Sequence, residues 1–135
     1  MKTIKTVAYL LIENNKILLV RARNKKAFYM PGGKPDTGEN SIDALIREIR
    51  EEIGITLNSD SLKYYGTFEA QAYGKETGII VKIECYMGKH NKNPTALSEI
   101  EEVRFFSAKE YLSMSETAPA VRLIVKDLKI KGHID

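Results

Sequence analysis

Three carboxylates lie close together near the middle of the chain, at Glu48, Glu51 and Glu52. At 100° per residue, spacings of three and four residues place them in one sector of a helix surface. Like charges at this spacing cost an isolated helix roughly 0.2–0.5 kcal/mol per pair, and a bound cation would relieve the repulsion. Hard oxygen ligands suit Mg2+ or Mn2+, which keep waters that substrate phosphates can replace. The cluster therefore fits either a solvated acidic face or a divalent-metal site.

A helix must position these glutamates, and the sequence predicts one over about 40–53. Apolar residues recur with helical spacing and form one core-facing stripe: Ile42, Leu45, Ile46, Ile49 and Ile53. The glutamates lie off this stripe. Asn40 or Ser41 can cap the first turn, and Gly54 can adopt the left-handed conformation that ends the helix.

The spacing of residues 33–55 resembles, without a mismatch, the signature of the Nudix hydrolases. Its defined positions in this chain are Gly33, Glu39, Arg47-Glu48-Ile49, Glu51-Glu52 and Gly54-Ile55. Met30-Pro31-Gly32-Gly33-Lys34 is similar to the entry of this segment in MutT-like members. The resemblance implies an α/β fold, namely an α/β/α sandwich around a mixed β-sheet, and hydrolysis of a phosphoanhydride with Mg2+, for which Mn2+ can substitute.

The resemblance also implies roles for the glutamates. Glu48 and Glu52 would hold the divalent cation, and Glu51 would be a further direct or water-mediated ligand. Which carboxylate accepts the proton of the attacking water varies among relatives. We expect Glu48 to be the general base and Glu52 the chief ligand, since the two lie one turn apart.

Residues around the glutamates would support them. Arg47 and Glu39 are similar to the pair that braces the loop against the helix, because an arginine can hold a carboxylate with two hydrogen bonds. The carbonyl of Gly32 is the expected backbone ligand, and Lys34 is expected to contact a phosphate. Two glycines after Pro31, the second being Gly33, permit a close backbone turn.

More distant residues are expected to complete the site. In Nudix members a glutamate on the approach to a late strand often joins the metal site, and Glu99 is the first choice here, with Glu102 second. Solvated loop acids are the alternative interpretation. Arg21 and Arg23, which leave an early strand, are candidates for a substrate phosphate, and strand-end solubility is the alternative for them.

The remaining pattern predicts strands and two further helices. Apolar runs at 4–12 and 17–21 predict one hairpin, and alternating runs at 62–73 and 78–87 predict another. Ser107 to Glu110 is a capping box that starts a short helix, and Pro119 opens a final one. Strands that alternate with helices in this order indicate a mixed sheet between helices.

Length and composition point to one domain over 1–135. Hydrophobic residues make up 43% and charged residues 29%, which is ordinary for a globular protein. No apolar run is long enough to span a membrane, and the first residues resemble a strand and no signal peptide. The single cysteine, Cys85, agrees with a reducing compartment, so a cytoplasmic protein is expected. His90 and His133 are expected in a loop and in the tail.

The net charge of +3 is spread along the chain. It predicts only a weak preference for polyanions, and the aromatic and basic groove of a single-strand binder is absent from the sequence. A small nucleotide is therefore the expected partner, in place of a nucleic acid, and the protein is expected to act as a monomer or homodimer.

The sequence is compatible with three functions. The leading one is a MutT-like pyrophosphohydrolase that converts a nucleoside triphosphate to a monophosphate and pyrophosphate. ADP-ribose or nucleoside diphosphate sugar hydrolysis is the alternative, although such relatives often carry a proline where this chain has Gln71 and Ala72. Thr117 replaces an asparagine that some MutT-like members use for guanine, and Tyr73 is faintly similar to a tyrosine of dinucleoside polyphosphate hydrolases. A non-catalytic nucleotide-binding module is the third interpretation.

Overall fold

The computed structural model describes residues 2–135. Within them, seven strands are formed: β1 (Lys2–Tyr9), β2 (Ile12–Glu13), β3 (Lys16–Ala22), β4 (Gly32–Gly33), β5 (Lys63–Gln71), β6 (Ile79–Met87) and β7 (Ile100–Phe106). The α-helices are α1 (Ser41–Ile53), α2 (Ala108–Leu112) and α3 (Pro119–Ile130), and a short 3-10 turn lies at Ser59–Ser61. No helix in this part of the chain is both long and apolar enough to cross a membrane.

The strands form two sheets. The four-stranded sheet has the order β4-β1-β6-β5 and is mixed, because β1 runs parallel to β6 and antiparallel to β4. The three-stranded sheet has the order β2-β3-β7, and its neighbouring strands are antiparallel. The predicted mixed sheet is confirmed, and the structure adds an antiparallel sheet beside it.

Helices cover both faces of the sheets. Alternate residues of β1 and β3 point to opposite sides, as in any strand, and each side packs against a different helix. One hydrophobic cluster lies against α1 and includes Val7, Tyr9, Leu18, Val20, Leu45, Ile49 and Ile53. The other lies against α2 and α3 and includes Ala8, Leu10, Ile17, Leu19, Tyr111, Val121 and Ile124. The arrangement is the α/β/α sandwich that the resemblance implies.

The first predicted hairpin is wrong in part. The segments 4–12 and 17–21 do not form one continuous pair, because β1 ends at Tyr9 and pairs with β6 and β4. Only β2 pairs with β3, across a turn at Asn14 and Asn15 whose φ angles are 51° and 63°. Apolar alternation shows that a segment is a strand, but it does not identify the partner.

The two glycines before α1 form a strand where the sequence suggested a tight turn. Gly32 and Gly33 pair antiparallel with Ala8 and Val7 of β1. Gly32 has a φ of 148°, and a Cβ atom there would overlap the Val7 carbonyl oxygen and approach the Ala8 Cα to 2.9 Å. The close backbone approach that only glycine permits is therefore between two strands.

The predicted second hairpin and the starts of the two later helices are confirmed. β5 and β6 form the expected antiparallel hairpin, in which Phe68 pairs with Ile83. Ser107 and Glu110 form the capping box of α2, and Pro119 is the first residue of α3.

Candidate active site

Both ends of α1 are fixed, so the glutamates along it have a defined orientation. The side-chain oxygen of Asn40 accepts a hydrogen bond of 2.8 Å from the Asp43 amide, which satisfies a free donor of the first turn. Gly54 adopts φ 70°, and its amide donates to the Arg50 carbonyl at 3.1 Å. These contacts confirm the predicted helix boundaries.

The three glutamates of α1 occupy different environments. Glu52 is only 4% exposed, whereas the side chains of Glu48 and Glu51 are 17% and 54% exposed. The expectation that all three lie off the apolar stripe is therefore wrong for Glu52, which sits at the edge of the core. Its Oε1 accepts a hydrogen bond of 2.8 Å from the amide of Gly32. A solvated acidic face does not describe this residue.

Burial and like charge make ionised Glu52 unfavourable. Burial, with smaller contributions from the charges of Glu48, Glu99 and Glu51, raises the pKa of Glu52 to about 8, and the hydrogen bond from Gly32 partly opposes the shift. Burial also raises the pKa of Glu48, although Arg47 opposes that change. A divalent cation beside these groups would reverse the balance, because an opposite charge favours the ionised carboxylate.

Arg47 joins the loop before α1 to the glutamates on α1. Its Nε and Nη2 atoms donate to the two oxygens of Glu39, each at 2.9 Å, and Nη1 donates to Glu48 at 2.7 Å and to Glu51 at 3.3 Å. The hydrogen bonds from Arg47 lower the pKa of Glu39 to about 2. One guanidinium thus sets the position of the loop relative to the Glu48 carboxylate.

Gly33 lies directly under the Glu48 side chain. A Cβ atom at Gly33 would overlap the Glu48 carboxylate, and the obstructing atoms are the end of a flexible side chain. The φ of Gly33 lies outside the left-handed region that favours glycine. Glycine is needed at this position because the Glu48 side chain occupies the space of a Cβ atom. The backbone conformation of Gly33 would accept other residues.

The segment before β7 brings Glu99 toward the glutamates of α1. The Leu97 amide donates to the Glu52 carbonyl at 2.9 Å, and the Ser98 hydroxyl donates to the Glu51 carbonyl at 3.2 Å. The charge of Glu99 then contributes to the raised pKa of Glu52. Glu102 instead forms ion pairs with Arg21 and Arg104, both at 3.3 Å. Of the two expected late ligands, the structure brings only Glu99 into the cluster.

The three basic residues expected to bind phosphate lie in different places. Arg21 shares a strand face with Ile17 and Leu19, opposite the face that carries α1, and is paired with Glu101 and Glu102 at 3.0 and 3.3 Å. The structure therefore does not bring Arg21 into the glutamate cluster.

Arg23 and Lys34 lie beside the cluster. The backbone amide of Arg23 donates to the Glu99 carbonyl at 2.8 Å, so the two segments run side by side. The carbonyl of Lys34 accepts from Arg47 at 3.3 Å, and Lys34 also lines the cleft described next.

A cleft of about 330 Å³ opens beside Gly32 and Gly33. Its floor is the face of the mixed sheet opposite α1, and its wall is the start of α3. The lining is mostly apolar and includes Ile4, Ala8, Met30, Val81, Ile83, Ala118 and Val121. The volume lies at the lower end of the range for small-molecule sites.

Tyr29 joins the cleft to the glutamates, and it is not among the site residues predicted from the sequence. It lines the cleft and packs against both hydrophobic clusters. Burial and the charges of Glu52, Glu99 and Glu48 raise its pKa. Its position four residues before Gly33 was the available signal, but an aromatic residue before a glycine pair also suits simple packing.

The donor set fits a divalent cation that is completed by its substrate. Among residues 2–135, no three histidine, cysteine, aspartate or glutamate side chains converge into a metal cage. Arg47 holds Glu48 and Glu51, and the amide of Gly32 holds one oxygen of Glu52. Mg2+ is commonly bound through one or two carboxylates together with waters and substrate phosphates, so a complete protein cage is not required.

Comparison with known families agrees with this geometry. The family model of the NUDIX domain matches residues 2–128. The chain belongs to the Nudix family. Its similarity to the m7GpppN-mRNA hydrolase of Saccharomyces cerevisiae is 33% identity over 96 residues, which covers 71% of this chain and 10% of that protein. The ADP-ribose pyrophosphatase of Methanocaldococcus jannaschii is 39% identical over 98 residues, which covers 70% of this chain and 56% of that protein.

Solved structures share the Nudix fold over nearly the whole chain. The MutT protein from Methanosarcina mazei Go1 superposes with a TM-score of 0.78 at 22% identity, covering 96% of this chain and 95% of that one. The E. coli ORF135 protein gives 0.73 at 24% identity, covering 100% of this chain and 96% of that one. The Nudix resemblance of residues 33–55 is thus confirmed at the level of family and fold.

Proposed function

We propose that this Nudix chain hydrolyses a phosphoanhydride bond of a nucleoside 5′-diphosphate compound with Mg2+ or Mn2+. The leading substrate is a nucleoside triphosphate, which would yield a monophosphate and pyrophosphate. One observation is the main support for the proposal. The buried Glu52 carboxylate accepts a hydrogen bond from the amide of Gly32, and Gly32 also lines the apolar cleft. A nucleoside in the cleft would therefore present its 5′-phosphates to the glutamates of α1.

The side chains can divide the work of hydrolysis. Glu52, with Glu48, Glu51 and Glu99 nearby, would hold the cation, which neutralises phosphate charge and helps to activate water. Glu48 is the proposed acceptor of the water proton, since it is half-buried and Arg47 orients it through a hydrogen bond of 2.7 Å. Gly32 lines the cleft and donates its amide to Glu52, and its carbonyl is the proposed backbone ligand of the cation.

Hydrolysis of ADP-ribose is the second candidate. Its support is the archaeal relative named ADP-ribose pyrophosphatase, of which this chain covers 56%. The Gln71-Ala72 pair, which stands where such relatives often carry a proline, favours the triphosphate. We also propose a cytoplasmic location and action as a monomer or homodimer. In support of a reducing compartment, the single cysteine, Cys85, is buried as a free thiol and has no second cysteine with which to form an internal disulfide.

A nucleotide panel tests the proposal. The purified chain would be incubated with Mg2+ and nucleoside triphosphates, ADP-ribose or nucleoside diphosphate sugars, and the products identified by mass spectrometry. Monophosphate with pyrophosphate supports the leading function, and AMP with ribose 5-phosphate supports the second candidate. No turnover of any compound, despite nucleotide binding, would indicate a non-catalytic module.

Replacing Glu52 tests the centre of the site. Glu52→Gln is expected to lower kcat by at least about 100-fold, a few kcal/mol of transition-state stabilisation, because the amide cannot hold a cation as a carboxylate does. The fold should persist, since the glutamine oxygen can still accept the hydrogen bond from Gly32. Steady-state kinetics with circular dichroism measure both effects, and Glu69→Gln on the exposed face of β5 is the matched control. Turnover near that of the unsubstituted protein at saturating Mg2+ would refute the assignment.

A further inference from the structure

A second cavity of about 370 Å³ adjoins the cleft. The two cavities share wall residues, namely Tyr29, Tyr73, Lys75 and Ala118. A substrate held in the cleft can therefore extend into the second cavity without leaving the protein surface.

The second cavity is lined by two lysines and by no acidic residue. Lys25 and Lys75 are its charged wall residues. Neither forms an ion pair within residues 2–135, which they share with most lysines of these residues, and both are exposed to solvent. Glu116 accepts a hydrogen bond from the hydroxyl of Tyr73 but does not line the cavity. The cavity thus carries positive charge that the described residues leave unpaired.

The backbone beneath each lysine is held in place. The guanidinium of Arg21 donates to the Lys25 carbonyl at 3.1 Å. The side-chain amide of Gln71 donates to the Lys75 carbonyl at 3.3 Å, and its oxygen accepts from the Gly78 amide at 2.9 Å. Each fixed backbone holds the base of an exposed, flexible side chain that lines the cavity, so the ammonium groups can adjust to an anion bound there.

We propose that Lys25 and Lys75 form a subsite for a phosphate of the substrate that lies outside the scissile pair. The proposal rests on the proposed function and names its substrate more closely. A phosphate presents several acceptor oxygens, which suit two ammonium donors. Two sources share this chemistry: the terminal phosphate of a triphosphate chain, and a phosphate on the 3′ oxygen of the ribose.

A double substitution with a charge-matched control tests the subsite. The variant Lys25→Ala/Lys75→Ala would be compared with Lys26→Ala/Lys63→Ala, which removes the same charge from residues that line neither cavity. Calorimetry with Mg2+ would measure the Kd of three non-hydrolysable ligands, α,β-methylene ADP, α,β-methylene ATP and the 3′-phosphate of α,β-methylene ATP. Circular dichroism would show that each variant is folded.

We expect the Lys25→Ala/Lys75→Ala variant, and not the control variant, to lose its preference for the ligand that carries the additional phosphate. If the terminal phosphate occupies the subsite, the preference for the triphosphate over the diphosphate falls about tenfold. If the 3′-phosphate occupies it, the triphosphate affinity is unchanged and the preference for the 3′-phosphorylated ligand falls instead. In either case the preference of the unsubstituted protein weakens as salt rises. Unchanged ratios in both comparisons would overturn the proposal.

Hydrolysis assays of the same proteins keep the two proposals apart. Selective loss of binding without turnover by any variant or by the unsubstituted protein would retain the subsite and refute the pyrophosphohydrolase. Normal pyrophosphate release with unchanged ligand ratios would retain the enzyme and refute the subsite.

Discussion

Gly32 and Gly33 are adjacent, but glycine is required at each for a different reason, so substituting them should have different effects. A side chain at Gly32 would meet the Val7 carbonyl with φ at 148°, whereas one at Gly33 would meet only the end of the Glu48 side chain. Gly32→Ala should therefore destabilise the fold by about 2 kcal/mol or more. Gly33→Ala should stay folded but lose at least about tenfold in kcat, because Glu48 must move.

Urea unfolding and steady-state kinetics of both variants check this contrast. The outcome that would contradict it is a stable, fully active Gly33→Ala protein, since the Glu48 carboxylate would then have no need of its present position. Gly38→Ala offers a comparison, because no atom lies near a Cβ atom there although φ is +82°.

The raised pKa of Glu52 predicts a pH-dependent stability in protein free of divalent ions. The folded pKa, about 8, exceeds the ordinary value near 4.3, so the folded state holds the proton more tightly. The contribution of protonated Glu52 to the free energy of unfolding is complete below the ordinary carboxyl pKa. It is lost as pH rises through about 8. Glutamine does not ionise, so in EDTA the Glu52→Gln protein should lose less stability as pH rises. Its Tm at pH 9 should therefore exceed that of the unsubstituted protein by a few degrees.

Thermal unfolding between pH 5 and pH 9 measures the effect, and Glu51→Gln on the exposed side of α1 is the matched control. A Glu52→Gln profile that falls with pH as steeply as that of the unsubstituted chain would show that Glu52 is ionised without penalty.

At the level of elements, α1 and its preceding loop depend on the planar fork of Arg47. Lysine keeps the charge but cannot hold both oxygens of Glu39 while contacting Glu48. Arg47→Lys is therefore expected to lower kcat by about tenfold or more. Arg50→Lys, an exposed position on the same helix, should leave it within about twofold. Equal kinetics for the two variants would remove the proposed role of Arg47 in positioning Glu48.

Elements with strong local signals were predictable from the sequence, and their partners were not. The ends of α1 follow from Asn40 and Gly54, because capping depends on nearby residues. The sequence did not predict that β1 ends at Tyr9 and that β2 belongs to a different sheet. The partners of β1, which are β4 and β6, lie far away in the sequence, so local patterns do not reveal this pairing.

The same limit applies to the candidate site. Residues 33–55 specify Glu39, Arg47, Glu48 and Glu52 through fixed spacing, so their proximity was predictable. The burial of Glu52 depends on strand β4 and on the segment around Leu97, and Tyr29 acquires its position from two packed clusters. Such features arise from tertiary contacts, which local periodicity does not encode.

At the scale of the whole molecule, strand β4 connects the two parts of the site. The glutamates of α1 lie on one face of the mixed sheet, and the cleft beside α3 lies on the other. Because the Gly32 amide holds Glu52 and Arg47 holds Glu48, and because Mg2+ is commonly completed by substrate phosphates, metal and nucleotide should bind cooperatively. At pH 7, millimolar Mg2+ alone should shift Tm by less than about 1 °C, and Mg2+ with α,β-methylene ATP should raise it by at least about 3 °C. A full shift with Mg2+ alone, measured by scanning calorimetry, would indicate a preformed metal site elsewhere or a different donor set.

The central claim is that the carboxylates of α1 hold a divalent cation against the phosphates of a nucleotide whose nucleoside lies in the neighbouring cleft. A crystal structure with MnCl2 and α,β-methylene ATP, with anomalous data to locate manganese, tests it most directly. We predict a manganese peak at Glu52 and Glu48, bridged to the phosphates, with the nucleoside beside Tyr29. Manganese and nucleotide bound away from Glu52, with that carboxylate still buried against Gly32 alone, would contradict the account.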